Sequence, residues 1–241
     1  MTRAQFAEEL QQRIARYDLL CHPFYQAWSA GQLTRDDLRE YAADYYQHVA
    51  AFPNYLAESL ARTVDPELRR AILSNLCDEE GISGDGTQSG NRAHAELWLD
   101  FAEDMGADRN RVRQQRALPE IKELTEFFHQ VANDGGAESA LAAFYAYESQ
   151  VPRVAEAKAH GLREWYGADE KACGYFTVHQ TADIAHSQIW LQQLQKRVDG
   201  NPAAQENALA AAEAAAQKLW AALDGVERRR QERRSVIAQS A

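Results

Sequence analysis

Cysteine is scarce in this chain, with three among 241 residues. Cys21, Cys77 and Cys173 are widely spaced and odd in number, so they form neither a disulfide framework nor a CxxC metal site, and a reducing compartment is expected. Basic residues are outnumbered, 26 against 36 acidic, and the formal charge of −10 speaks against nucleic acid as a partner. No long apolar run occurs in the N-terminal MTRAQFAEEL, so neither a signal peptide nor a membrane span is expected there. A cytoplasmic location without a membrane partner follows as the expectation. Alternating strand patterns and repeats of fixed period are missing too.

What remains is helical almost throughout. Thr2 caps a helix through about Tyr17, with Phe6, Leu10 and Ile14 as its buried stripe. The segment HPFYQAWSAG reads as a short helix closed by Gly31. Thr34 with Asp37 resembles a capping box that opens a helix over Arg35–Phe52, and Pro53 is expected to start another. Asp65-Pro66 is an N-cap followed by proline at the first helical position, and that helix runs into Asp78-Glu79-Glu80. Gly81 to Asn91 holds four glycines, too many for a regular helix. Periodicity resumes from Asn91 to Met105, returns briefly after Gly106, and spans Pro119–Ala132 up to Asp134-Gly135-Gly136. Glu138–Tyr166 reads as one long helix kinked at Pro152, Asp169–Val198 as another, and Asn201-Pro202 caps a last one to Leu223. The sum is an all-α bundle of seven or more helices in one domain, residues 1–224. The basic stretch ERRRQERR lies in a tail, 225–241, read as flexible and solvated.

One helix carries the chemistry. A turn of about 100° per residue puts Asp183 at about 40° and His186 at about −20° from His179, so three ligand-capable side chains share one face. Phe176, Ile184, Trp190 and Leu191 give this segment the apolar content of a core helix. A carboxylate buried between two imidazoles is costly unless a cation balances it; hydrogen-bonded core histidines beside an exposed Asp are the plainer alternative. Glu148 is the lone acid in the aromatic FYAYESQVP, beside Pro152. Glu79 and His94 flank the glycine-rich stretch, and the acidic DEE run also fits a solvated helix end. Together Glu79, His94, Glu148, His179, Asp183 and His186 offer three carboxylates and three imidazoles, leaving about +1 on two divalent ions. Such mixed N/O ligation suits iron or manganese, Fe/Fe or Fe/Mn, and two reduced ions can supply the two electrons that O2 takes up.

Six blocks in order, from about Cys21 to Leu191, resemble a known family: HPFYQAWSAG, DYYQHVAAFPNYL, DEEG, HAELW, YESQVPRVA and YFTVHQTADIAH. They are similar to the chlamydial "protein associating with death domains", CADD, and its bacterial relatives. The resemblance implies the haem-oxygenase-like helical fold of dimetal oxidases and oxygenases, shared with the PqqC and TenA families. It implies the same six ligands, O2 as co-substrate and an external reductant as partner; a homodimer is compatible with it. It further implies an activity, synthesis of para-aminobenzoate for folate, in which the protein is its own substrate. The residue matching Tyr25 would supply the ring, Lys158 the amino group, and Tyr41 and Tyr147 would assist. Buried hydrogen-bonded tyrosines and a solvated lysine are the plainer account of these four. The family's first Glu and His are separated by a shorter loop than the fifteen positions here, which leaves Glu79 against Glu80 open and suggests a segment that orders on metal binding. A metal-independent PqqC-like oxidase, a TenA-like thiaminase needing an activated Cys, a dimetal oxygenase with a free substrate and an interaction module are the competing classes.

Overall fold

The computed structural model describes residues 1–82 and 92–240, and the glycine-rich stretch from 83 to 91, with its expected ordering on metal binding, lies outside them. In chain order come α1 (Arg3–Ala15), a 3-10 turn (Leu19–Cys21), α2 (Pro23–Ser29), α3 (Arg35–Arg62), α4 (Pro66–Glu79) and α5 (His94–Asp104). They are followed by α6 (Arg109–Gln114), α7 (Pro119–Asn133), α8 (Ala137–Glu148), α9 (Val151–Tyr166), α10 (Gly174–Val198) and α11 (Pro202–Ser240). The all-α class holds, with no strand element among the described residues. Thr2 and Thr34 each close a capping box, and Asp65 accepts from the Glu67 N–H as read.

Four boundaries differ from expectation. Pro53 does not begin a helix but lies inside α3, which continues to Arg62 because both flanks bury apolar and aromatic side chains against neighbours. Glu138–Tyr166 is not one kinked helix; it breaks at Ser149-Gln150, and Pro152 sits in the first turn of α9, where a missing N–H is harmless. Helix α10 starts at Gly174, five residues later than Asp169. The stretch expected as a flexible tail from residue 225 is helical through Ser240, as part of α11. Its arginines dock on α3, Arg229 against Asp44 and Glu40, and Arg233 and Arg234 against Asp37.

Helix α8 is the centre of the bundle. Residues Ala140 through Glu148 are buried in succession, and the helix packs chiefly between α10 and α11. A helix apolar all round has to be enclosed on every side, and that enclosure places Glu148 in the dry interior.

Candidate dimetal centre and tyrosine–lysine pocket

The buried stripe of α10 runs through Tyr175, His179, Asp183, His186, Trp190 and Leu194, so the three expected ligands occupy positions where a core helix would carry aliphatic residues. All three are less than a tenth exposed, against the alternative of an exposed Asp. Ile184, expected to be a core residue, is 48% exposed on the other face. On α4 the stripe is Leu68, Ile72, Asn75 and Glu79; Glu79 ends it, Glu80 points outward, and Gly81 turns the chain with φ +67°. His94 opens α5 and faces Glu79.

Six side chains fall into two groups, Glu79 with His94 and His179, and Glu148 with Asp183 and His186; in each, the possible ligand atoms lie within 4.8 Å of one another. Tyr175 supplies a carbonyl 2.7 Å from His179 Nδ1, which fixes the N–H there and turns Nε2 to the group. Both Glu148 oxygens accept hydrogen bonds, one from the Asn75 amide at 3.0 Å and one from the Trp190 indole N–H. His186 lies between two carboxylates, Nδ1 3.4 Å from Asp183 and Nε2 3.1 Å from Asp78.

The electrostatics fit a cation. Burial, with Asp183 close by, raises the Glu148 carboxyl well above the usual range. Burial pulls His186 down but is outweighed by Asp183, Glu148 and Asp78, which lift it to about 9. Burial would likewise raise Glu79 and lower His94, but their mutual attraction reverses both. His94 Nδ1 stands 2.9 Å from Glu79 Oε2 with no aligned hydrogen bond, and Asp183 Oδ2 is buried without a partner. Close oxygen and nitrogen pairs that do not bond each other are what two ligands of a shared ion look like.

A second cluster adjoins the first. Lys158 on α9 is buried, and its Nζ donates to the Tyr25 hydroxyl at 2.8 Å and the Tyr41 hydroxyl at 2.7 Å. These two phenols are 3.1 Å apart. Among the described residues no carboxylate faces the amine, and burial holds its pKa well below 10.5, which favours neutral nitrogen. Burial raises the Tyr25 phenol too, so it keeps its proton. Gly161, one turn beyond Lys158, has no Cβ because one would stand 2.8 Å from Trp28, a wall of this pocket.

The four sequence-named residues beyond the ligands thus separate. Tyr25, Tyr41 and Lys158 touch one another, while Tyr147 lies along a cavity of about 10 Å³ beside Glu79, Glu148, His179 and Asp183. Tyr147 also lines a neighbouring cavity of about 20 Å³ beside Tyr25 and Lys158. Tyr175 was not singled out from sequence, yet it lines both cavities and lies 4.0 Å, ring to ring, from His179. Its signal was its place four residues before His179, where its carbonyl meets the imidazole. Asn75, Asp78 and Trp190 were also missed as partners of the ligands. His48, buried with neither ring nitrogen bonded, is pushed down to about 3 by burial and faces Tyr147.

A family described as "Iron-containing redox enzyme" matches residues 39–220. The chain is 38% identical over 236 residues to a 4-aminobenzoate synthase of Nitrosomonas europaea, covering 94% of this chain and 92% of that one. It is 37% identical over 191 residues to the 4-aminobenzoate synthase of Chlamydia pneumoniae, covering 79% and 82%. A domain with a haem-oxygenase-like fold from Shewanella denitrificans superposes with a TM-score of 0.79 at 16% identity, over 98% of this chain and 96% of that one.

Proposed function

The chain belongs to the haem-oxygenase-like family of iron-containing redox enzymes, and from that premise we propose that it makes 4-aminobenzoate from its own Tyr25 and Lys158. The observation that carries this reading is spatial. The cavity beside the ligand groups and the one beside Tyr25 and Lys158 amount to about 10 and 20 Å³, while pockets for free ligands run to roughly 300–1,000 Å³. A separate aromatic substrate has no room there, whereas the Tyr25 ring is already in place with an amine 2.8 Å from its hydroxyl.

Two divalent ions held by Glu79, His94, His179, Glu148, Asp183 and His186, iron in both or iron with manganese, would supply oxidising chemistry with O2 and an external reductant. The chain's own residues do the rest. Lys158 holds its nitrogen, favoured as the neutral amine, against the phenol it is to aminate. Tyr41 fixes the Tyr25 hydroxyl by hydrogen bonding, and Tyr147 with Tyr175 spans the distance between ligands and ring. The aromatic wall of Trp28, Trp98 and Phe176 keeps water from the amine.

Isotope labelling tests this. Ring-labelled tyrosine and amine-labelled lysine in the reconstituted protein should both appear in the 4-aminobenzoate released after oxygen exposure, at no more than one equivalent per chain. Tyr25→Phe and Lys158→Arg should retain the metal content of wild type and release none, since a guanidinium is a poor amino donor. Several equivalents per chain, or a normal yield from Tyr25→Phe, would leave a dimetal oxygenase acting on a free substrate.

A further inference from the structure

An apolar cleft beside α8 lies away from both clusters. It has a volume of about 270 Å³ and is walled by Leu68 and Ile72 of α4 and Leu141 and Phe144 of α8. Ser59 and Arg62 from the last turns of α3 line it, with Arg197 of α10 and the Gly135-Gly136 turn. None of the six candidate metal ligands, nor Tyr25 or Lys158, reaches it.

Its two arginines differ. Arg197 is taken up by Asp65 and by Gln193. Arg62 has only carbonyl oxygens, Gly135 at 3.1 Å and Ala132 at 3.4 Å, both met by Nη1; among the described residues no carboxylate pairs with it. A guanidinium presents five N–H donors in a plane that matches a carboxylate, so this one has capacity in hand. Ser59 adds a second polar group: the residue is 6% exposed, lines the cleft, and its hydroxyl is buried without a partner. Val64, 93% exposed, adds apolar surface to the lining.

We propose that this cleft is a binding site for a small monocarboxylate with one ring or a short apolar chain, its carboxylate on Arg62 and its body against Leu68, Ile72, Leu141 and Phe144. The volume falls just under the usual range for larger ligands, roughly 300–1,000 Å³, and suits a single ring. Inorganic phosphate would leave the apolar wall unused and would find one uncommitted guanidinium for its charge. The product proposed above is of the same chemical class, but the cleft stands whether or not that activity does.

Calorimetric titration of the full chain with benzoate tests the site. One saturable site per chain is expected, with benzamide and phosphate failing to compete. Arg62→Gln should weaken benzoate at least tenfold. Because Arg62 also holds the end of α7, Ala137→Trp is the second variant: it fills the cleft from its exposed rim with Arg62 in place, and should abolish binding. Glu148→Ala should leave binding unchanged. No saturable binding by the wild type, equal binding of benzamide, or loss with Glu148→Ala but not with Ala137→Trp would each overturn the proposal.

Discussion

Lys158 places an amine among six aromatic rings, with two phenols as its only hydrogen-bond partners among the described residues. Its folded-state pKa lies well below 10.5, so between those two values the unfolded chain binds a proton that the folded chain has given up. Stability therefore rises with pH across that interval, and the penalty disappears above about 10.5. Lys158→Met should be more stable than wild type in urea at pH 7, with the margin narrowing as pH approaches 10. An equal margin at both values would mean the amine is charged in the folded state. At this scale Glu148, His179, Asp183 and His186 were readable as candidate ligands because each is a carboxylate or imidazole in an otherwise apolar helix pattern, as Glu148 is within FYAYE. Glu79, inside an acidic run, was not distinguished from Glu80. Tyr175 was not readable, since a tyrosine on a core stripe has the same pattern whether it packs or bridges two cavities. Nor was Asp78, whose bond to His186 spans 108 positions and leaves no local trace.

At the scale of elements, the break between α8 and α9 matters more than the proline beside it. Buried Gln150 accepts from the Leu19 N–H at 3.0 Å and donates to the Ala146 carbonyl at 3.1 Å. One side chain thus ties the turn after Glu148 to the 3-10 turn that leads into Tyr25. Gln150→Ala would leave the Leu19 N–H unsatisfied, at a cost of about 1–3 kcal/mol, and should lower product yield as the two clusters lose register. Pro152→Ala should change stability by less than about 1 kcal/mol, its N–H being superfluous in a first turn. Equal effects of the two on yield and midpoint would restore the proline to the leading role. Helix starts were legible at the caps Thr2, Thr34 and Asp65, whereas Asp108, which caps α6, was not read. Passage through Pro53 was not, because it depends on tertiary burial along α3 that no local pattern contains.

For the molecule as a whole, α11 is the clamp. Arg229 meets Asp44, whose side chain is 1% exposed, along with Gln115. Burial already raises the Asp44 carboxyl, with Arg229 opposing it. Arg229→Ala should therefore destabilise the fold by about 1–3 kcal/mol, less than the roughly 3–5 kcal/mol of a fully buried pair because Arg229 itself is a third exposed. Arg228→Ala, which removes a half-exposed guanidinium from Glu120, should cost less than Arg229→Ala. Similar midpoints for both in guanidinium titrations would show that the end of α11 is not needed to close the bundle. Read locally, ERRRQERR is a solvated basic run; its acidic partners Asp37, Glu40 and Asp44 stand nearly two hundred residues earlier.

The enclosure of α8 also has a consequence in time. Its cover, α11, begins more than fifty residues after α8 ends, so on the ribosome the most apolar helix emerges well before its largest neighbour. At roughly 5–20 residues per second the delay is on the order of 3–15 s. Through that interval a nascent chain presents a helix that is apolar on the side α11 will occupy. Premature stop codons near position 200 would yield aggregated protein, not a shorter bundle.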